Sequence, residues 1–110
     1  MPHDADLADR MKAALRARGA DPVLRKMFGG VAFMVNGNMS FGTSNEEMHV
    51  RVGPDQYDAC LKRPGARLME FTGRAMKGWV TVDGPADLSE EELGEWAELT
   101  LNFVRTLPAK

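Results

Sequence analysis

The dipeptide Asn36-Gly37 constrains the fold more than any other feature, because it stands between two short segments with strand-like patterns. A two-residue hairpin of type I′ needs positive φ at both central residues, and asparagine and glycine tolerate this conformation best. Segments 31–35 and 39–43 flank the pair and place large apolar residues at alternate positions. The pair therefore predicts an antiparallel β-hairpin.

The rest of the chain predicts three more strands and three helices. Residues 48–52 and 79–83 alternate in the manner of half-buried strands, and residues 67–71 are predicted as another strand. Helices are predicted at 4–18, 54–63 and 89–107. The last is the best marked, since Ser89 and Glu92 have the spacing of a capping box. Residues 72–78, which have a glycine near each end, are predicted as a loop.

This order, α-β-β-β-α-β-β-α, indicates the fold class. Runs of strands joined by short turns favour antiparallel pairing, so we expect an α+β fold with two layers. The predicted sheet has five strands and carries its helices on one face. With 110 residues, no repeats and no low-complexity linker, the chain is expected to be a single domain over 1–110.

Composition narrows the classes of function. One cysteine excludes an internal disulfide and a cysteine-based zinc site. No apolar run is long enough to cross a membrane, and the acidic N-terminus lacks the apolar core of a signal peptide, so a cytoplasmic protein is expected. The net charge of −2 argues against nucleic-acid binding by the whole surface.

The charges are unevenly distributed along the chain. Residues 62–77 contain five basic residues and one acidic residue, whereas residues 78–104 contain seven acidic residues and no basic one. This pattern fits a basic loop beside a solvated acidic helix. It also fits two partner-binding surfaces of opposite sign.

Residues able to support catalysis or metal binding are few. His3, His49 and Cys60 do not have the spacing of a metal site. Cys60 is best interpreted as a small core residue, although a pair with His49 stays open. Gly29-Gly30 precedes a strand and not a helix, which is the wrong order for a phosphate-binding loop. We therefore expect no enzymatic activity, no metal and no cofactor.

Basic and aromatic side chains are the remaining candidates. Arg25-Lys26 and the segment Arg74–Lys77 are predicted as two short basic loops. His49, Arg51 and Trp79 are predicted to share the sheet face opposite the helices, where such residues can contact a partner. The alternative is that Arg51 pairs with a nearby acid and Trp79 covers the sheet edge.

Arg25–Val31 begins with the run R-K-M-F-G-G, and Val35–Phe41 follows it as a hairpin. These collinear segments resemble the opening of the N-terminal domain of the TfoX/Sxy family, in which an R-K-M-F-G-G segment leads into such a hairpin. His49–Val52 is similar to an L-Y-L-(K/R)-V strand, and Phe71–Trp79 to an F-x-x-x-G-(R/K)-(P/A)-M-x-x-(Y/W) segment. Leu93–Thr100 matches a last helix more loosely. The resemblance covers about Ala13 to Leu107, with Ala75 and Trp79 where many relatives have proline and tyrosine.

The resemblance implies an α+β domain and a regulatory role. The best-known members regulate DNA-uptake competence genes together with the cyclic-AMP receptor protein, and they carry a second, helical domain. We expect this chain to be a stand-alone N-terminal domain.

We predict a non-enzymatic regulatory adapter that binds a protein partner, such as a transcription regulator or a polymerase component. The predicted contact residues are Arg25, Lys26, Phe28, Arg51, Arg74, Lys77 and Trp79. The alternative is a domain that binds a small ligand or nucleic acid on the open sheet face, with direct DNA binding disfavoured by the net charge. A homodimer formed through an exposed sheet edge is compatible with either function.

Overall fold

Helices and strands account for most of the part of the chain that the computed structural model describes, residues 5–27, 30–44, 47–71 and 74–109. Within these residues the α-helices are α1 (Ala5–Arg16), α2 (Tyr57–Leu61) and α3 (Glu90–Val104), and a 3₁₀ turn spans Pro85–Asp87. The strands are β1 (Val23–Met27), β2 (Gly30–Val35), β3 (Asn38–Ser44), β4 (Glu47–Arg51), β5 (Ala66–Phe71) and β6 (Arg74–Asp83).

All six described strands form one antiparallel sheet, in the order β1-β2-β3-β4-β6-β5. Each strand pairs with its neighbour in the chain, except that β6 inserts between β4 and β5. As a result, β1 and β5 form the two edges of the sheet. The predicted α+β class is confirmed, and the predicted count of five strands is wrong by one.

The additional strand is β1, which lies where Arg25-Lys26 was predicted to form a loop. It pairs with β2 in register, with Arg25 opposite Ala32 and Met27 opposite Gly30. Its sequence has no apolar alternation, because an edge strand with exposed side chains has little surface to bury. Only Pro22, which disfavours helical geometry in the residue before it, pointed towards extended structure there.

A second correction concerns the predicted loop at 72–78. Strand β6 already begins at Arg74, so most of this segment is strand; Thr72 and Gly73 lie outside the described residues. Gly78 adopts a φ of +92° within the strand. Its carbonyl accepts hydrogen bonds from the backbone N–H groups of Val52 and Gly53, at 2.8 and 3.0 Å. The glycine therefore bends β6 at the end of β4 without ending the strand.

The two strongest local signals of the sequence are confirmed. Asn36 and Gly37 have φ angles of 54° and 80°, the positive values that the predicted hairpin turn requires. At the start of α3, the Ser89 side chain accepts from the backbone N–H of Glu92, and the Glu92 side chain accepts from that of Ser89. The helix ends at Val104 and not at Pro108. The cap predicted for α1, Asp4, lies outside the described residues.

The core lies between the helices and one face of the sheet. It contains the apolar stripe of α1, one side of α3, Cys60 of α2 and alternate residues of the central strands. Its largest fully buried side chains are Phe33, Phe41, Met11, Leu15, Met48, Leu93 and Leu101. The rings of Phe33 and Phe41 meet edge to face, with centroids 6.3 Å apart. The opposite face of the sheet carries His49, Arg51 and Trp79.

None of the helices described is both long enough and apolar enough to cross a membrane.

Candidate interaction surface

Strand β1 presents apolar and basic side chains next to one another. Val23 and Leu24 are 58% and 45% exposed, and Arg25 and Lys26 are exposed directly after them. None of the ion pairs formed among the described residues involves Arg25 or Lys26. Because β1 is an edge strand, every second N–H and C=O of its backbone points away from the sheet. The strand therefore offers hydrogen-bonding groups, apolar surface and positive charge together.

The pairing of β1 with β2 assigns these side chains to the two faces of the sheet. Leu24 lies opposite the core residue Phe33, so Leu24 and Lys26 lie at the rim of the face that the helices cover. Val23 and Arg25 alternate with them and lie on the open face. Each face thus receives one apolar and one basic side chain from β1.

Arg51 and Trp79 lie side by side on the open face. They are directly opposite one another in the β4–β6 ladder, and the preceding pair, Val50 and Val80, belongs to the core. The predicted arrangement, with His49, Arg51 and Trp79 on the face away from the helices, is therefore confirmed by the register.

The Arg51 guanidinium already contacts other residues of the domain. Its central carbon lies 5.9 Å from the centroid of the Trp79 ring and 5.4 Å from that of Phe103 on α3. Its Nη1 donates to the Met39 carbonyl at 3.4 Å. Two aromatic rings and a carbonyl, and not a carboxylate of the described residues, are thus its partners. Arg51 ties the end of β4 to α3 and is only half-exposed.

His49 lies on the same face in a polar cluster with two hydroxyl groups. Its Nε2 is 3.1 Å from Ser44 Oγ, and its Nδ1 is 3.0 Å from Thr81 Oγ1. Burial lowers the pKa of His49 below its ordinary value; the charge of Glu47 opposes this shift and that of Arg67 adds to it. The neutral imidazole is therefore the favoured form, and both ring nitrogens have partners.

The opposite half of the sheet carries a network of paired charges that the sequence analysis missed. Arg67 on β5 donates from Nε to both carboxylate oxygens of Asp83, at 2.9 and 3.1 Å, and from Nη2 to Glu47. These residues lie on three adjacent strands, so only the strand order shows that they meet. The network gives Arg67 two carboxylate partners, whereas Arg25 and Lys26 have none among the described residues.

The seven predicted contact residues do not form one surface. Arg25 and Lys26 lie on β1, whereas Lys77 is exposed on β6, four strand positions away. At a spacing of about 4.8 Å per strand, this separates them by roughly 19 Å. Arg74 belongs to β6, but its side chain lies outside the described residues, as does the whole of Phe28. Trp79 lies on the same strand as Lys77 and opposite Arg51 of β4, so the described contact residues fall into two groups, one on β1 and one on β4 and β6.

Cys60 and His49 lie on opposite sides of the sheet. Cys60 is 1% exposed and packs in the core, and burial raises the pKa of its thiol, so it is not an activated nucleophile. The Cys60–His49 pair left open by the sequence is therefore not formed. Among the residues described, no group of three or more histidine, cysteine, aspartate and glutamate side chains could hold a metal ion.

Taken together, the fold and the surface define a small α+β domain whose antiparallel sheet ends in a basic, partly apolar edge strand. The family model of the TfoX N-terminal domain matches residues 14–104, which is nearly the whole chain, and the protein belongs to this family. A comparison with curated proteins gave no match.

Proposed function

We propose that the domain is a non-enzymatic module that binds a protein partner and acts as a regulatory adapter. The observation that carries this proposal is the edge strand β1, where exposed Val23 and Leu24 adjoin Arg25 and Lys26. Interfaces between proteins combine apolar contact with charge complementarity in this way. Arg25 and Lys26 are free to pair with a partner because no described residue neutralises them.

Membership of the TfoX N-terminal domain family supports the regulatory part of the proposal. The family resemblance implies action at promoters through another protein. A transcription regulator or a subunit of RNA polymerase is therefore the kind of partner we propose. Lys77, and Arg74 on the same strand, would form a second, separate basic contact.

Nucleic-acid or small-ligand binding on the open sheet face is the alternative function. Trp79 is half-exposed there and offers a ring for stacking. Against this alternative, the guanidinium of Arg51 beside it is engaged by Phe103 and the Met39 carbonyl. The exposed first turn of α3, with Glu90, Glu91 and Glu92, adds negative charge. Nucleic-acid or anionic-ligand binding on the open face therefore has fewer unpaired positive groups available than protein binding at β1.

The test is affinity capture from nuclease-treated host lysate with quantitative mass spectrometry. The wild-type domain is compared with the double variant Arg25→Glu/Lys26→Glu and with Arg74→Glu/Lys77→Glu. We expect the wild type to enrich a transcription regulator or polymerase subunit, and the β1 variant to lose about tenfold or more of that enrichment, because two attractive contacts become repulsive. The β6 variant shows whether the second basic group contributes.

A matched control reverses two other exposed charges, Arg16 and Lys62, which have no ion-pair partner among the described residues. The Arg16→Glu/Lys62→Glu variant has the same net charge as the β1 variant, so it should capture the partner at nearly the wild-type level. Equal losses in both variants would show that only net charge matters. If the wild type enriches no protein, or if the purified domain binds added nucleic acid with steep salt dependence, the proposal is wrong.

A further inference from the structure

The geometry of β1 points to a particular mode of binding, and this inference rests on the proposed function. We propose that β1 binds an extended, acidic segment of the partner protein, which adds to the sheet as a further strand. An unpaired edge supplies a ladder of backbone donors and acceptors, and a strand from another protein can satisfy it. No described strand lies beyond β1.

The side chains of β1 specify the chemistry of that segment. Val23 and Arg25 lie on the open face, and Leu24 and Lys26 lie on the other. Residues directly opposite one another in a ladder share a face and interact. The complementary strand therefore places an apolar residue next to an acidic residue on each face. Two consecutive acidic residues followed or preceded by β-branched residues meet this requirement.

In the centred register, a second copy of this chain fits β1 poorly. Symmetric antiparallel pairing centred on the middle of the strand places Arg25 opposite Arg25 of the other copy, and like charges directly opposite one another destabilise a ladder. The other edge, β5, carries Arg67, whose charge already faces Asp83 and Glu47. The charge of β1 therefore favours an acidic partner strand over self-association.

The experiment selects binders from a random linear peptide library displayed on phage, using the intact domain as target. Enriched peptides are then added to isotope-labelled domain, and backbone amides are followed by NMR. We expect enriched sequences that combine consecutive acidic residues with β-branched residues. On binding, the amides of residues 23–27 should shift, and the outward-facing ones among them should exchange more slowly with solvent, because these N–H groups gain partners.

Two variants test the chemistry of the contact. Arg25→Glu/Lys26→Glu should weaken peptide binding about tenfold or more, since attractive cross-strand pairs become repulsive. Val23→Thr/Leu24→Thr keeps strand propensity but removes apolar surface, and it should weaken binding by a smaller factor. The Arg16→Glu/Lys62→Glu control should bind with unchanged affinity.

Other outcomes overturn the inference. Basic or purely apolar enriched peptides, the absence of enrichment, or shifts confined to amides outside β1 would exclude acidic strand addition. A concentration-dependent dimer that shifts the β1 amides without peptide would assign the edge to a second copy. If lysate capture still depends on Arg25 and Lys26 in any of these cases, the interaction module stands and only its strand-pairing mode fails. If capture of a protein from the lysate also fails, both the interaction module and its strand-pairing mode are wrong.

Discussion

At the scale of single residues, Gly53 determines how closely α3 approaches the end of β4. It has a φ of +83°, and a Cβ atom placed there would lie 2.3 Å from the Phe103 ring. We expect Gly53→Ala to lower the free energy of unfolding by about 2 kcal/mol or more, from backbone strain and from displacement of the ring. Urea unfolding followed by circular dichroism measures the loss.

Gly65→Ala is the matched control for this substitution. Gly65 has a similar φ of +78°, but a Cβ atom there would have no neighbour closer than 3.5 Å. It should therefore cost only the backbone strain, on the order of 1 kcal/mol. Equal losses in the two variants would show that the Phe103 ring moves aside freely and that its contact with Arg51 contributes little.

His49 gives the domain a dependence on pH that can be assigned to one side chain. Burial lowers its pKa in the folded state, so the unfolded chain takes up a proton first as the pH falls below the ordinary value of about 6.5. Stability should therefore be unaffected by His49 above that value and should decline below it, until the folded state is protonated as well. Melting temperatures of the wild type and of His49→Gln, measured from about pH 8 to about pH 5, test this.

Subtracting the two curves of melting temperature against pH removes the contribution of the carboxylates, which titrate in both proteins, and leaves that of His49. We expect the wild type to lose more stability than His49→Gln as the pH falls through the imidazole range. Parallel curves would mean that the Ser44 and Thr81 hydroxyls accept from the doubly protonated ring as readily as water does.

At the scale of secondary-structure elements, the start of α3 depends on the capping box. The side chains of Ser89 and Glu92 each accept a hydrogen bond from the other's backbone N–H, at 3.1 and 2.9 Å. Ser89→Ala should cost about 1 kcal/mol in the free energy of unfolding, because one N–H at the helix terminus loses its partner. Ser89→Asp keeps an acceptor and should stay close to wild type in the same denaturant titration. Equal stability of all three proteins would show that water replaces the cap.

The elements that sequence could predict are those whose signals are local. The turn at Asn36-Gly37 depends on the conformations open to two residues, and the α3 cap depends on residues three positions apart. Strand β1 has no such signal, because its exposed side chains resemble those of a loop. The first half of β6 was missed for a related reason, since Gly78 suggests a break and instead provides a bend within the strand.

At the scale of the whole molecule, sequence could predict which residues share a face but not which strands are neighbours. Alternation along β4 and β6 was enough to place Arg51 and Trp79 on the open face. The insertion of β6 between β4 and β5 has no local signal, so sequence could not show that Arg67 meets Glu47 and Asp83. For the same reason, sequence could not show whether the two predicted basic segments converge, and they lie on strands far apart in the sheet.

A buried hydrogen-bond relay joins the helical layer to the sheet. A register shift between β2 and β3 leaves Ser40 without a partner residue in the ladder. The Thr100 hydroxyl on α3 donates to the Ser40 carbonyl at 2.9 Å, and the Ser40 hydroxyl donates to the Phe33 carbonyl at 2.8 Å. Both Ser40 and Thr100 are fully buried, so water cannot replace either donor.

We expect Thr100→Val to lower the free energy of unfolding by about 1–3 kcal/mol, because the Ser40 carbonyl stays buried without this donor. Thr100→Ser keeps the hydroxyl and loses only a methyl group, so it should cost about 1 kcal/mol.

Trp96 on α3 and Trp79 on the sheet report on the two layers separately once the other tryptophan is replaced by phenylalanine. If both tryptophan signals change at the same denaturant concentration in the Thr100→Val protein, the apolar core alone keeps the unfolding of the two layers cooperative. If the Trp96 signal is lost earlier, the hydrogen-bond relay couples the helices to the sheet.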